Sequence, residues 1–285
     1  MQDTDFNRRG EALLKRADEL DELDLTLFMP CRDEEGNVSR ALHELVETLK
    51  LYPFSYEIIV VDDGSKDGSV GEIRQFMAEH PDVNIVLKQN TRSLGVSYNL
   101  TDAAVLGRGR HFQFISSAFQ NRRDSLTNVF NELGNADLVV TYIDPDRRPG
   151  LRRWLSRQYT GLVNLVSGYN LPHYHGTPLY RRIDVVRWHS YRTVGFYADL
   201  ITRLLDEGIS YIVVPTPVHE REKGKSRALR IRNLISLAIG FSDMILRRFS
   251  KDRIPPRRLE PLGKPNPGVG QRETEVRGPQ QTATK

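Results

Sequence analysis

Two carboxylates, Asp62 and Asp63, stand side by side where the apolar run Ile58-Ile59-Val60-Val61 stops, and Gly64 and Ser65 follow them. Buried carboxylates that share one place raise each other's pKa. Both stay ionised only where water, a donor-rich ligand or a cation meets them. The pair therefore predicts that something polar docks at a strand end. A plainer reading needs no ligand: a strand, an Asp-Gly turn, and a helix opened by a capping box of Ser69 and Glu72 explain the same letters. That reading leaves the doubling of the acid without a cause.

The elements that must position the pair follow from periodicity. Residues 24–30, DLTLFMP, form a short apolar run, after which Val38, Ala41, Leu42, Leu45, Val46 and Leu49 recur on one helix face. The second run, ending in Asp62 and Asp63, is followed by a helix burying Ile73, Phe76 and Met77. Strands over 83–88, 111–117 and 136–142 and helices over 95–106 and 124–133 continue the alternation. Continuous Val/Ile runs between amphipathic helices predict an α/β fold, with a mainly parallel sheet covered by helices on both faces and ligands beyond the carboxyl ends of its strands. After Tyr142 come the Arg-rich DPDRRPGLRRWLSRQY, a mixed stretch to HGTPLYRR, a helix in GFYADLITRLLDEG and a strand in YIVVP. An amphipathic C-terminal helix over 227–249 closes the folded part, with Arg230, Arg232, Arg247 and Arg248 flanking its apolar residues.

Composition narrows the classes. The chain has 285 residues, 39% hydrophobic and 27% charged, as soluble globular proteins have. Lys and Arg outnumber Asp and Glu by 41 to 37, a balance compatible with anionic partners. A single cysteine, Cys31, excludes an internal disulfide framework. The charged start lacks a secretory apolar region and no run approaches a membrane span, so a cytoplasmic protein is expected. Residues 1–22 read as a helical extension, 23–226 as one domain, and 250–285, with six prolines and four glycines, as a disordered tail.

Taken with LTLFMPCRDEEGNV upstream, EIIVVDDGSKDGS resembles the paired opening signatures of family 2 glycosyltransferases, an apolar strand into Pro-x-x-Asn-Glu and a second into Asp-Asp-Gly-Ser. The resemblance implies a GT-A fold, a Rossmann-like nucleotide-binding sheet, and a nucleotide-sugar held by Pro30, Arg32, Glu34, Asp62 and Asp63, with Ser116 and Ser117 on the fourth strand end. Asp33 stands where Asn is usual. NTRSLGVSYNLTDA is similar to the family's Asn-x-Gly helix start, and HGTPLYRR and VPTPVHEREKGKSRAL resemble segments of the polyprenyl-phosphate sugar transferases. That likeness implies an inverting transfer from a nucleotide-diphosphate donor to a polyprenyl phosphate at the cytoplasmic membrane face, where the helix over 227–249 would lie on the bilayer. Arg221 and Lys225, flanking Gly224, would bind the acceptor phosphate or the donor diphosphate, since glycine admits close backbone approach and Arg offers a fork matched to phosphate oxygens.

One departure bears on the chemistry. Family members carry Asp-x-Asp, often followed by x-Gln, to hold Mg²⁺ or Mn²⁺ against the diphosphate; here those places are Ser116, Ala118 and Gln120. Only Gln120 remains as a metal ligand, and no carboxylate survives. Three outcomes stay open: arginines (Arg122, Arg123, Arg147, Arg148) neutralise the diphosphate, a metal binds through Asp62 or Asp63 in another way, or transfer is lost. Pro172 and Tyr142 also depart from the family's usual Asp and Arg. A non-catalytic nucleotide- or lipid-phosphate-binding relative and a soluble enzyme with a hydroxyl acceptor, using Asp199 as base, are the alternative readings. His173 and His175 lack a third metal ligand in sequence, and both they and Cys31 are expected to serve packing. GRGRHF precedes a strand, against a dinucleotide fingerprint, and no nucleic-acid-binding module is present.

Overall fold

The computed structural model describes residues 23–146, 150–188, 196–217, 241–250, 253–266 and 269. The two apolar runs become Leu23–Cys31 (β1) and Tyr56–Asp62 (β2), parallel and in a register that sets Leu27 against Ile58 and Cys31 against Asp62. The other elements are Val38–Leu49 (α1), Ser69–Glu79 (α2), Ile85–Gln89 (β3), Val96–Leu106 (α3), Gly109–Phe114 (β4), Arg123–Phe130 (α4), Leu138–Ile143 (β5), Gly150–Ser167 (α5), Leu179–Arg181 (β6), Arg182–Arg187 (α6), Phe196–Asp206 (α7), Ser210–Thr216 (β7) and Arg257–Arg258 (β8). They build one sheet in the order β3-β2-β1-β4-β6-β5-β7-β8, parallel except for β6, which runs antiparallel to both of its neighbours.

Side chains alternate across a strand, so a sheet covered on both faces must be apolar at every position. Leu25, Leu27, Met29, Ile58 and Val60 enter one core, beneath α1, α2 and α4. Phe28, Ile59, Val61, Phe112 and Val140 enter the other, with Leu100 of α3, Val163 of α5 and Leu204 of α7. Burying each such side chain contributes roughly 1.5–3 kcal/mol, which is why the strand assignments rested on a strong signal.

Three features differ from the sequence reading. The Arg-rich segment after Tyr142 is the 18-residue helix α5. β6 has only three residues, too few to show a period. Within residues 253–266, expected to belong to a disordered tail, Ile254 forms a bridge to Glu207 and β8 adds to the edge of the sheet. Arg257 donates its N–H to the Ile209 carbonyl (3.0 Å) and Leu259 to that of Tyr211 (2.8 Å), while Leu259 packs on the first core and Gly263 donates its N–H to Glu132 (2.6 Å). Backbone pairing needs no apolar composition, and Pro255 and Pro256 sit on an edge where a missing N–H costs nothing.

Residues 241–248 are helical, and charge docks them onto α7. Arg247 reaches Asp199 (3.0 Å), Asp243 (2.9 Å) and Asp206; Arg203 reaches Asp199 (3.1 Å) and Asp243 (2.6 Å); Arg253 reaches Asp206 (2.7 Å). The rest of the helix expected over 227–249 lies outside the described residues.

Candidate functional site

The carboxyl ends of β1 and β2 lead into two loops that hold each other. Four successive backbone N–H groups of the first loop donate to side chains of the second: Asp33 to Ser65 (3.0 Å), Glu34 to Ser69 (2.8 Å), Glu35 to Asp67 (3.1 Å) and Gly36 to Glu72 (2.7 Å). In return Lys66 and Gly68 donate their N–H groups to Asp33 and Glu35, both at 2.9 Å. Ser69 and Glu72, expected to cap their own helix, thus stitch the neighbouring loop; α2 opens at Gly68 with no side-chain cap. Asp33 adopts φ +53°, a left-handed conformation that Asp and Asn accept more readily than other residues with side chains. Glu34 is buried and accepts the Asn37 amide at 3.1 Å.

Asp62 and Asp63 are both buried, and the structure separates their tasks. Consecutive residues at a strand end face opposite sides, which relieves the repulsion that adjacency in sequence suggested. Asp63 accepts hydrogen bonds from Ser93 Oγ (2.6 Å), Leu94 N–H (2.8 Å), Asn90 Nδ2 (3.1 Å) and Gly95 N–H (3.2 Å), and Arg32 lies 3.9 Å away. Burial by itself raises this carboxyl's pKa, but the neighbouring Asn99 amide and the bonds from Ser93, Leu94 and Asn90 outweigh it and hold the group below its ordinary value. Donors from the chain itself meet this acid. It pins the loop that opens α3. Among the described residues Asp62 accepts only the Ser65 N–H, at 3.2 and 3.4 Å to its two oxygens, and it keeps acceptor capacity for another donor. The Asp63 partners Asn90 and Ser93 have no periodic signal in sequence; the likeness of NTRSLG to a known helix start was the one hint.

β4 ends beside β1. Ser117 donates its hydroxyl to the Pro30 carbonyl (2.6 Å), and Ile115 donates its N–H to that of Phe28 (2.8 Å). This is where the strand order reverses, β1 having β2 on one side and β4 on the other, the usual ligand position in open α/β sheets. Pro30, Arg32, Asp62, Asp63, Ser116 and Ser117 therefore gather at one edge, with Arg32 exposed at its lip. The loop at 116–120 is tied to itself: Asn121 Oδ1 accepts the Ser116 N–H (2.9 Å), and Ser116 Oγ accepts that of Ala118 (3.3 Å) and donates to Gln120 (3.4 Å). A hydroxyl, a methyl and an amide supply no charge, so this donor set does not fit Mg²⁺ or Mn²⁺. Phe119 stands between them at φ +55°, with the guanidinium of Arg40 4.3 Å and that of Arg122 5.0 Å from its ring centre. Arg123 is exposed and donates its N–H to Glu44 (2.9 Å).

Other expected residues are placed elsewhere. Both oxygens of Asp199, the expected fallback base, take Arg203 donors and one also takes Arg247, so this acid cross-links α7 to residues 241–248. In HGTPLYRR, a methyl on Gly176 would overlap Thr141 Oγ1 and lie 2.7 Å from its carbonyl oxygen. Arg182 is almost fully buried, donating to the carbonyls of Gly109 (2.7 Å) and Ala104 (3.1 Å). This motif is therefore scaffold. His175 stacks on Tyr159 at 4.4 Å, with His173 buried beside it, as packing requires. Burial pushes the Cys31 thiol up to about 12, which keeps it from nucleophilic use. Arg147, Arg148, Arg221 and Lys225 lie outside the described residues.

Residues 26–190 match the family described as glycosyl transferase family 2. The chain belongs to that family. It is 25% identical over 161 residues to a dodecaprenyl-phosphate galacturonate synthase of Rhizobium johnstonii, across 55% of this chain and 47% of the relative. It is 23% identical over 214 residues to an undecaprenyl-phosphate 4-deoxy-4-formamido-L-arabinose transferase of Pseudomonas fluorescens, across 74% and 62%. The chain thus spans about half to three fifths of these curated relatives' lengths. Among solved structures it resembles a mannosyltransferase of Pyrobaculum calidifontis in complex with GDP-Man and Mn²⁺, with a TM-score of 0.59 at 19% identity over 83% of this chain and 72% of the other. The glucosyl-3-phosphoglycerate synthase of Mycobacterium tuberculosis gives 0.50 at 15% identity over 85% and 83%. These two likenesses show the fold, and the family 2 domain here is GT-A.

Proposed function

We propose that this family 2 protein transfers a sugar from a nucleoside-diphosphate donor to a polyprenyl phosphate with inversion. The observation that carries the reading is the meeting of Pro30, Arg32, Asp62, Ser116 and Ser117 at the switch between β1 and β4, in a family whose matched relatives are polyprenyl-phosphate sugar transferases. Asp62 accepts donors of the base or ribose, and Asp63 holds the loop that frames them. An oxygen of the acceptor phosphate attacks the anomeric carbon from the face opposite the leaving group; the new C–O bond forms as the old one breaks, and its electron pair leaves with the nucleoside diphosphate. A phosphate monoester with a second pKa near ~6 is already largely anionic at pH 7, so the attack needs alignment more than a base. That is consistent with an Asp199 engaged by arginines. The leaving diphosphate needs positive charge. Since the loop at 116–120 does not fit a divalent ion, arginines supply that charge in this reading: Arg122 and Arg123 beside the loop, with Arg147 and Arg148, while Arg221 and Lys225 take the acceptor phosphate.

The acceptor's lipid tail requires a membrane surface, and α5 supports one. Leu151, Trp154, Leu155, Leu162 and Leu165 are exposed, and at 100° per residue they fall on one stripe opposite the buried Thr160, Val163 and Ser167. Arg152 and Arg157 flank the stripe, the pattern of a helix lying in a lipid interface. Arg248 bonds the Leu165 carbonyl, which brings the exposed Leu246 and Phe249 to the same end. Among the described residues no helix is long and apolar enough to cross a membrane.

The test is turnover. Purified protein given a panel of nucleotide-sugars and a short polyprenyl phosphate is expected to form a sugar phosphate whose anomeric configuration, read by NMR, is opposite to the donor's. Binding of donor with no product in any combination would favour the non-catalytic alternative, and product on a water-soluble hydroxyl acceptor alone would favour the soluble one.

A further inference from the structure

Far from the cleft, His43 of α1 and Glu79 and His80 at the end of α2 bring one ligand atom each to within 4.8 Å of one another. α2 starts at the locked loops and Glu79 is its last residue, so the group lies roughly 15 Å down the helix from the site at 1.5 Å per residue. One buried side chain touches both imidazoles. Phe76 meets the His43 ring edge-on at 4.6 Å and the His80 ring at 4.3 Å, and the two imidazoles stand nearly perpendicular at 5.3 Å. His43 Nδ1 is 2.8 Å from the Ser39 carbonyl oxygen, an acceptor only, so Nδ1 carries the hydrogen and Nε2 keeps its lone pair for a ligand. That is the arrangement in which a ligating histidine is normally oriented by a carbonyl behind it. Glu79 has a comparable support, accepting the Gln75 amide at 2.8 Å on one oxygen and leaving the other.

We infer that His43, Glu79 and His80 bind one transition-metal ion of the Zn²⁺ class, with water completing the coordination. Imidazole nitrogens with a single carboxylate suit Zn²⁺, Ni²⁺ or Cu²⁺, whereas Mg²⁺ and Ca²⁺ call for an oxygen set. At a metal–nitrogen distance of ~2.1 Å, tetrahedral ligands lie ~3.4 Å apart, so the present spacing has to tighten by roughly 1.4 Å at most. Glu79 and His43 are exposed and His80 is partly so, which lets side-chain rotation make that change while both helices stay fixed. The bound ion would cross-link α1 to the far end of α2, while the loop bonds fix the near ends. This site is separate from any ion at the diphosphate and does not depend on the proposed transfer.

The experiment is calorimetric titration of the full chain, stripped with EDTA, with Zn²⁺ alone and with Mg²⁺ alone. One Zn²⁺ per chain, a raised melting temperature and no Mg²⁺ response are expected. Removing the hydrogen-bond partner of a ligand typically weakens a site ~10–100-fold, so loss of a ligand itself in His43→Ala or His80→Ala should weaken Zn²⁺ by at least ~10-fold. Co²⁺ gives a second readout, strong visible bands of four-coordination that disappear in the same variants. Melting in EDTA checks that each variant folds, and His43→Gln replaces His43→Ala should the latter fail. Unchanged Zn²⁺ affinity after both histidines are replaced, or no Zn²⁺ binding by the parent chain, overturns the site.

Discussion

Replacing the two acids one at a time separates support from recognition. Among the described residues Asp63 accepts four hydrogen bonds from the 90–95 loop, whereas Asp62 accepts one backbone N–H shared between its oxygens. A hydrogen bond to a charged group is worth about 1.5–3 kcal/mol, and four removed together would exceed any single-residue norm. Water can reach part of this loop, where Leu94 is exposed, and recovers much of that. Asp63→Asn is therefore expected to cost ~2–4 kcal/mol, and Asp62→Asn about 1 kcal/mol or less. Urea unfolding measures both. The Asp63 carboxyl is held below its ordinary value in the fold, so its contribution is complete above the unfolded pKa near ~3.9 and is lost as pH falls through the lower folded value. The parent chain should lose this increment on acidification below about pH 4, and the difference between parent and Asp63→Asn should shrink there. Equal losses from the two variants at pH 7, or a difference that persists unchanged at pH 3, would refute the division of labour.

Further outcomes follow from the same geometry. Donor affinity should be the same within about two-fold in Mn²⁺ and in EDTA, by calorimetry, because no carboxylate stands at 116–120. Gly176→Ala should lower stability by ~2–4 kcal/mol in a thermal melt, since the new methyl meets Thr141. Arg247→Ala removes bonds to three aspartates of partly exposed character and should cost about 1–3 kcal/mol, while limited proteolysis detects release of 241–248. Leu155→Glu with Leu162→Glu should abolish flotation with anionic vesicles and leave donor binding intact.

The sheet was legible because its strands are buried on both faces: runs such as Ile58–Val61 and Leu138–Val140 have no other stable use. Where burial is one-sided or brief, the letters were silent. The stripe of α5 faces outward among arginines, so it read as charge; β6 is three residues; β8 joins through backbone alone. Within the site, the position of Asp62 and Asp63 at a strand end was readable from their neighbours. Their different tasks were not, because the partners of Asp63 come from a loop some thirty positions later. Ser69 and Glu72 fit a local cap equally well, and only the fold shows that the N–H groups of residues 34 and 36 claim them first.

The central claim is that the β1–β4 switch binds a nucleoside-diphosphate sugar through Asp62. Calorimetric titration of UDP- and GDP-sugars into the parent chain and Asp62→Asn, with melting curves alongside, tests it most directly. The account predicts saturable binding that falls at least ~10-fold in the variant, a loss of about 1.4 kcal/mol, at nearly unchanged stability. Equal affinity in the two proteins, or no binding of any such donor by the parent chain, would contradict it.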